Sequence, residues 1–339
     1  MSIQSYLAKK TSFGLILWIV LVFFAGALSC WVLFYFVPNT SDTSNSRALR
    51  LTQTNYPLIN PLLICNLEPK GTNENKWLED KVSEFIRNRV SQGLVQNMSV
   101  YIIDYSLGSW SGVGQNDRYD PASMLKVPIM MAYYAYTDRD QNILSEKTSF
   151  VGDDQNVGEY FKSKQNILPG KMYTVGELIQ SMIINSDNTA ATLLSSYIDQ
   201  RYLSSVYTDI GLPSPVGNGA SVEYMSPKIY SYFFRLLYNS TYLSREYSEK
   251  SLDLLTHTNM SQIRLGAPSS IIVAQKFGER SSYDTSGKLQ NRELHDCGIV
   301  YKTGSPYFLC IMSRGQDFDQ LAKNINDLGA LVYQNIGVK

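Results

Sequence analysis

Asp120–Met130, "DPASMLKVPIM", sets a serine and a lysine three positions apart in an otherwise apolar run, with a proline two residues beyond the lysine. Two readings are open. Ser123 either caps a helix that continues through "VPIMMAYYAY", leaving Lys126 as a solvated surface residue, or it is a nucleophile with Lys126 as its base. Three apart on a helix, the two side chains share a face and can meet. The first turn of a helix also presents the positive end of its dipole, which favours an alkoxide at Ser123 and an uncharged amine at Lys126. The pattern S-x-x-K alone is weak, since a serine-rich chain with this much lysine shows about one or two by accident, so its surroundings must decide.

Upstream, Trp77, Leu78, Val82, Phe85, Ile86 and Val90 recur at helical spacing over residues 74–90, and "SVYIIDY" (99–105) turns through "SLGS" into "WSGVG", a hairpin pattern. Downstream the chain reads as helical. Thr174 and Glu177 have capping-box spacing for a helix ending near Asn185, and Ser226 with Pro227 marks the start of another. Then come a strand "IIVAQKF", a hairpin "CGIVYKTGSPYFLCIM" and a last helix with Phe318, Leu321, Ile325, Leu328 and Val332 on one face. Helix, two strands, a helical block, three strands and a helix predict an α/β (α+β) domain. Its five-stranded antiparallel sheet draws on both ends of the chain, with an all-helical lobe inserted over about residues 130–260. The cleft between lobe and sheet is the expected site.

Two further elements fall on that cleft. "MIINSDNTAATLL" places Ser186, Asp187 and Asn188 between two helical stretches, where a short loop can present Ser186 and Asn188; the plainer account is a capped helix beginning near Thr189. For a cation on a strand, Lys302 in "KTG" sits at a hairpin tip and faces solvent. Lys276 in "VAQKFGER" is the better candidate, with Gly278 allowing close approach of a ligand to the backbone.

Ser123 with Lys126, then "SDNTAATLL", then K-x-G entering a loop, together resemble the class A β-lactamase and penicillin-binding protein superfamily of serine hydrolases. The resemblance runs over most of the chain after residue 60. It implies that Ser123 attacks the carbonyl of a β-lactam or acyl-D-amino acid and becomes acylated, that Lys126 takes its proton, and that Ser186 passes a proton to the leaving nitrogen. It further implies that Asn188 holds the substrate's amide carbonyl, that Lys276 attracts its carboxylate, and that the N–H groups of Ser123 and Glu279 form the oxyanion hole. Two positions depart from the pattern. Phe277 stands where the family has Ser or Thr, and "DIGLPSPVGNGASVEYM" lacks the glutamate that activates water for deacylation. Glu223 is a weak substitute and otherwise an exposed loop residue.

Other chemistries find little support. Two histidines, His257 and His295, and no G-x-S-x-G argue against a serine–histidine triad; His295 with Asp296 reads as a pair at the end of a loop. Without H-E-x-x-H or paired C-x-x-C, neither metal nor other cofactor is implied. The 30 basic and 30 acidic residues form no long run of one sign, so no nucleic-acid surface is expected. Cys297 and Cys310 fall opposite one another in a non-hydrogen-bonded pair, open to a disulfide or to two buried thiols, while Cys65 has no evident partner.

Residues 13–37, "FGLILWIVLVFFAGALSCWVLFYFV", carry no charge and exceed the roughly 20 residues a spanning helix needs. The expected organisation is a cytoplasmic N-terminus (1–12), a single transmembrane anchor (13–37), a polar linker (38–55) and an extracytoplasmic hydrolase domain (56–339), acting as a monomer on a small molecule. Lys9 and Lys10 ahead of the span support that orientation. A penicillin-binding or D,D-peptidase-like protein with slow deacylation, and a non-catalytic binding module on the same fold, are the rival readings.

Overall fold

Apolar residues at helical spacing bury one stripe of helix α1 (Lys76–Ser91), through Leu78, Val82 and Ile86, and the Asn75 side chain caps it by accepting the Leu78 N–H. Strands β1 (Asn97–Asp104) and β2 (Ser109–Val113) form the expected hairpin. A 3₁₀ turn, Ala122–Leu125, leads into α2 (Lys126–Tyr136), which is apolar on nearly every side and buried accordingly. A short ribbon, β3 (Lys147–Ser149) with β4 (Met172–Thr174), precedes α3 (Val175–Ile184), whose Thr174–Glu177 capping box forms as predicted. The ribbon was not expected, because three-residue strands carry almost no periodic signal. Helices α4 (Asn188–Tyr197), α5 (Gln200–Thr208), α6 (Pro227–Asn239) and α7 (Arg245–Thr256) complete the helical lobe. Strands β5 (Val273–Tyr283), β6 (Leu289–Val300) and β7 (Tyr307–Gly315) and helix α8 (Phe318–Asn335) close the domain. This computed structural model describes residues 56–60, 73–162, 165–212, 223–258 and 264–337.

The sheet order is β2-β1-β7-β6-β5 with antiparallel neighbours, so β5 is an edge strand. Alternation along each strand divides its residues between two cores. Ala274, Cys297, Ile299, Phe308, Cys310 and Met312 pack against the helical lobe. Val273, Phe277, Leu294, Val300, Leu309 and Ile311 pack against α1 and α8. Cys297 and Cys310 lie directly opposite in the β6–β7 register, with Cα atoms 3.9 Å apart, and are joined as a disulfide.

Among the described residues no helix is long and apolar enough to cross a membrane. The expected anchor (13–37), its linker (38–55), Cys65 and most of the segment between Gly211 and Glu223 lie outside the described residues.

Candidate active site

The 3₁₀ turn holds Ser123 by backbone geometry, and the capping account of this serine fails. Neither the turn nor α2 has a side-chain cap at its N-terminus. Asp120 instead folds back to accept the Ala122 N–H at 2.9 Å, and Ala122 takes a left-handed conformation with φ of 45°. For a residue with a Cβ this costs roughly 1–3 kcal/mol and persists only where surrounding contacts enforce it. They come from β6: Glu293 accepts the Asp120 N–H at 3.0 Å, and His295 Nε2 meets the Asp120 carbonyl at 3.0 Å. His295 and Asp296 therefore lie within a strand rather than at a loop end, and the imidazole buttresses the serine turn.

Lys126 is the first residue of α2 and is buried. Its Nζ lies 2.9 Å from Ser123 Oγ, 3.1 Å from Ser186 Oγ and 2.6 Å from Asn188 Oδ1, and it also donates to the Ser186 carbonyl. A carbonyl and an amide oxygen only accept, so they can take the two N–H bonds of a neutral amine and leave its lone pair for a hydroxyl proton. Burial pulls the Lys126 amine down to about 8, against the opposing pull of Glu159, Asp187 and Glu279. The geometry and the proton affinity both suit a general base.

Ser186 occupies a left-handed position, φ 54°, in the turn between α3 and α4. Asp187 is the α4 cap, accepting from the N–H groups of Thr189 and Ala190, so the helix-cap account is right for Asp187 and incomplete for its neighbours. Ser186 Oγ stands between two amines, since Lys276 Nζ reaches it at 2.9 Å.

Lys276 sits within β5, fully buried, and donates also to the Phe277 carbonyl at 3.2 Å. Burial, and next the neighbouring Lys126, push its amine well below the usual lysine range. The Phe277 ring lies 4.3 Å from Nζ. The expected contact with a substrate carboxylate starts from an amine that is fully buried, meets Ser186 Oγ and does not itself line the cavity over Ser123. Gly278 differs from expectation. A Cβ there would fall 2.6 Å from the Pro121 carbonyl oxygen and 2.9 Å from Met124 Cγ, so its bareness lets the serine turn, rather than a ligand, lie against β5.

A cavity of about 580 Å³ opens over Ser123 and Lys126, bounded by Asn188 of α4, Glu279 and Arg280 of β5, and Glu159. This size suits a small-molecule ligand. Glu159 was not singled out in the sequence. It lies in "VGDDQNVGEYF" (151–161), before the S-D-N turn, and its Oε1 accepts from Asn188 Nδ2 at 2.6 Å. Burial raises its carboxyl to about 7, with Lys126 the main opposing influence. The one available signal was Phe161, an aromatic residue ending a polar run and hence a possible anchor. Glu223, the weak substitute, pairs with Arg314 at 2.9 Å and takes no part in lining the cavity. No group of side chains among the described residues could hold a metal ion.

A model described as the beta-lactamase enzyme family matches residues 79–336. The chain belongs to the β-lactamase enzyme family. Solved structures agree at the level of the fold. One described as PBP-A is 20% identical, covers 80% of this chain and 98% of its own, and has a TM-score of 0.62. A β-lactamase from Sphaerobacter thermophilus DSM 20745 is 17% identical with coverages of 76% and 97% and a TM-score of 0.62. An ancestral class A β-lactamase is 20% identical with coverages of 76% and 99% and a TM-score of 0.57. No curated protein matches the chain in sequence. Within this β-lactamase-family domain, Ser123, Lys126, Ser186, Asn188 and Lys276 form one hydrogen-bonded cluster, while Lys302 of the rival "KTG" donates to the carbonyls of Tyr333 and Ile336 at the end of α8.

Proposed function

We propose that the protein is a membrane-anchored serine hydrolase that opens β-lactam rings, or cleaves a related acyl-D-amino-acid bond, through an acyl-enzyme on Ser123. In this reading Lys126 takes the Ser123 proton as Oγ attacks the carbonyl. Ser186, restocked through Lys276, protonates the leaving nitrogen. The N–H groups of Ser123 and Glu279 receive the oxyanion. Asn188 positions the acyl side chain. Arg280, which lines the cavity and is ion-paired with Asp120 at 3.3 Å, is the exposed cation available to a substrate carboxylate.

The observation that carries the reading is Lys126 Nζ at 2.9 Å from Ser123 Oγ, with Ser186 Oγ bridging Lys126 and Lys276. Intact-mass spectrometry after exposure to benzylpenicillin tests it. After rapid acid quench one equivalent should be found on the wild type and none on Ser123→Ala; a wild type that neither carries the adduct nor consumes benzylpenicillin refutes the acylation chemistry. Anchoring rests on the uncharged run at 13–37, and deletion of residues 1–55 should move the protein from the membrane fraction to the soluble one.

A further inference from the structure

Residues 151–161 form a strap whose side chains and backbone are tied to both walls of the cavity. On the helical-lobe side, the Gln155 N–H donates to Thr189 Oγ1 at 3.0 Å, and Asn156 both accepts the Asn188 N–H at 2.7 Å and donates to Asp187 Oδ1 at 3.1 Å. On the sheet side, the Glu279 carboxylate accepts the Tyr160 N–H at 3.0 Å and the Phe161 N–H at 3.2 Å. The Phe161 ring is buried, with centroids 6.2 Å from Phe277 and 6.0 Å from Phe318. Exposed Val151 and Val157, at 87% and 84%, show that apolar burial does not hold the rest of the strap. Fixed at both ends, it presents one carboxylate, Glu159, to the cavity that holds Ser123.

We propose that Glu159 is the proton acceptor for hydrolysis of the Ser123 acyl-enzyme, and that Glu279 is a positioning residue that holds the strap carrying it. The proposal rests on the acylation chemistry proposed above and adds the fate of the acyl group. Water transfers a proton to the Glu159 carboxylate as its oxygen bonds to the ester carbonyl carbon. The tetrahedral intermediate collapses with cleavage of the bond to Ser123 Oγ, and the proton passes from Glu159 to that oxygen. The carboxylic acid product leaves and the hydroxyl is restored.

The two carboxylates divide these tasks by their contacts. The Tyr160 and Phe161 N–H groups both go to Glu279, whereas Glu159 accepts from the Asn188 amide, in the same cluster as Lys126. The charged groups that act on Glu159 are Lys126 of α2, Glu279 and Lys276 of β5, and Asp187 at the α4 cap. Desolvation leaves its carboxyl near 7, so a substantial fraction is ionised at neutral pH and able to accept a proton.

The test uses the full-length chain, benzylpenicillin with intact-mass detection, and steady-state turnover of a chromogenic cephalosporin. Glu159→Gln should acylate within a few-fold of the wild-type rate yet keep its adduct on the order of a hundredfold longer or more, and lose the pH dependence of deacylation. Glu279→Ala should also slow adduct decay, with Glu279→Gln restoring it, because a glutamine oxygen still accepts the Tyr160 and Phe161 N–H groups. Equal adduct lifetimes in wild type and Glu159→Gln overturn the proposal and leave the acylation reading standing. Absence of adduct on both proteins overturns the two together.

Discussion

The two sides of the cavity are built differently. The Ser123, Lys126, Ser186 and Lys276 side grows out of the domain interior, with both lysines buried and their amines matched to a hydroxyl, a carbonyl or an amide oxygen. The facing strap from 151 to 161 is largely exposed and is held by side-chain hydrogen bonds and one buried ring. A buried amine loses its proton more readily because burial disfavours the charged form, so the base proposed for acylation is a product of core packing. The carboxylate opposite depends on a few polar ties. Substitutions in the interior should therefore impair acylation, and those in the strap should spare it.

The largest expected effect is at the nucleophile. Ser123→Ala should abolish the penicillin adduct in intact-mass spectra, and a retained adduct would move the chemistry elsewhere and dissolve the contrast. Next is Lys126→Met, which keeps the side chain's bulk and removes the amine. Its acylation rate should fall about 10²–10⁴-fold by stopped-flow with a reporter cephalosporin.

The two sides should also separate by pH. As the proposed base Lys126 must be the neutral amine, so acylation should rise with pH and level off above about 8. Glu159 acts as the carboxylate, so deacylation should rise and level off above about 7. Single-turnover profiles in which the order of midpoints is reversed would break the assignment of one base to each side.

Gly278→Ala sharpens the comparison further, because the added Cβ meets the Pro121 carbonyl at 2.6 Å and must displace the serine turn. We expect slower acylation together with a stability loss of about 1–3 kcal/mol by thermal or chemical denaturation. Smallest in its effect on chemistry is Cys297→Ala with Cys310→Ala. The disulfide closes a sequence separation of 13 within a hairpin, so its removal should cost about 2 kcal/mol in denaturant midpoints. Acylation rate at a temperature where the variant stays folded should be little changed.

Much of the architecture could be read directly because its signals are local. Periodicity located α1 and α8, the Thr174–Glu177 spacing marked the start of α3, and β-branched runs located the strands of the five-stranded sheet. The cluster was legible where motifs carried it, at Ser123, Lys126, Ser186 and Asn188. Lys276 was placed on the strand after the helical block, but its burial and the neighbouring ring could not be read, since both depend on how β5 packs. His295 was misjudged for a similar reason, as its register in β6 places it under Asp120, a residue 175 positions away.

The sequence by itself determined the family, the order of the main elements and the pairing of Ser123 with Lys126, since each follows from residue types at short, fixed spacing. Only the tertiary structure decided that Glu159 faces the cavity, that Glu279 accepts from the segment bearing it, and that Lys276 lies buried against Ser186. Those relations join atoms from segments 29 to 119 positions apart. No pattern along a chain encodes such distances, because they arise when two packed cores bring separate loops to one opening.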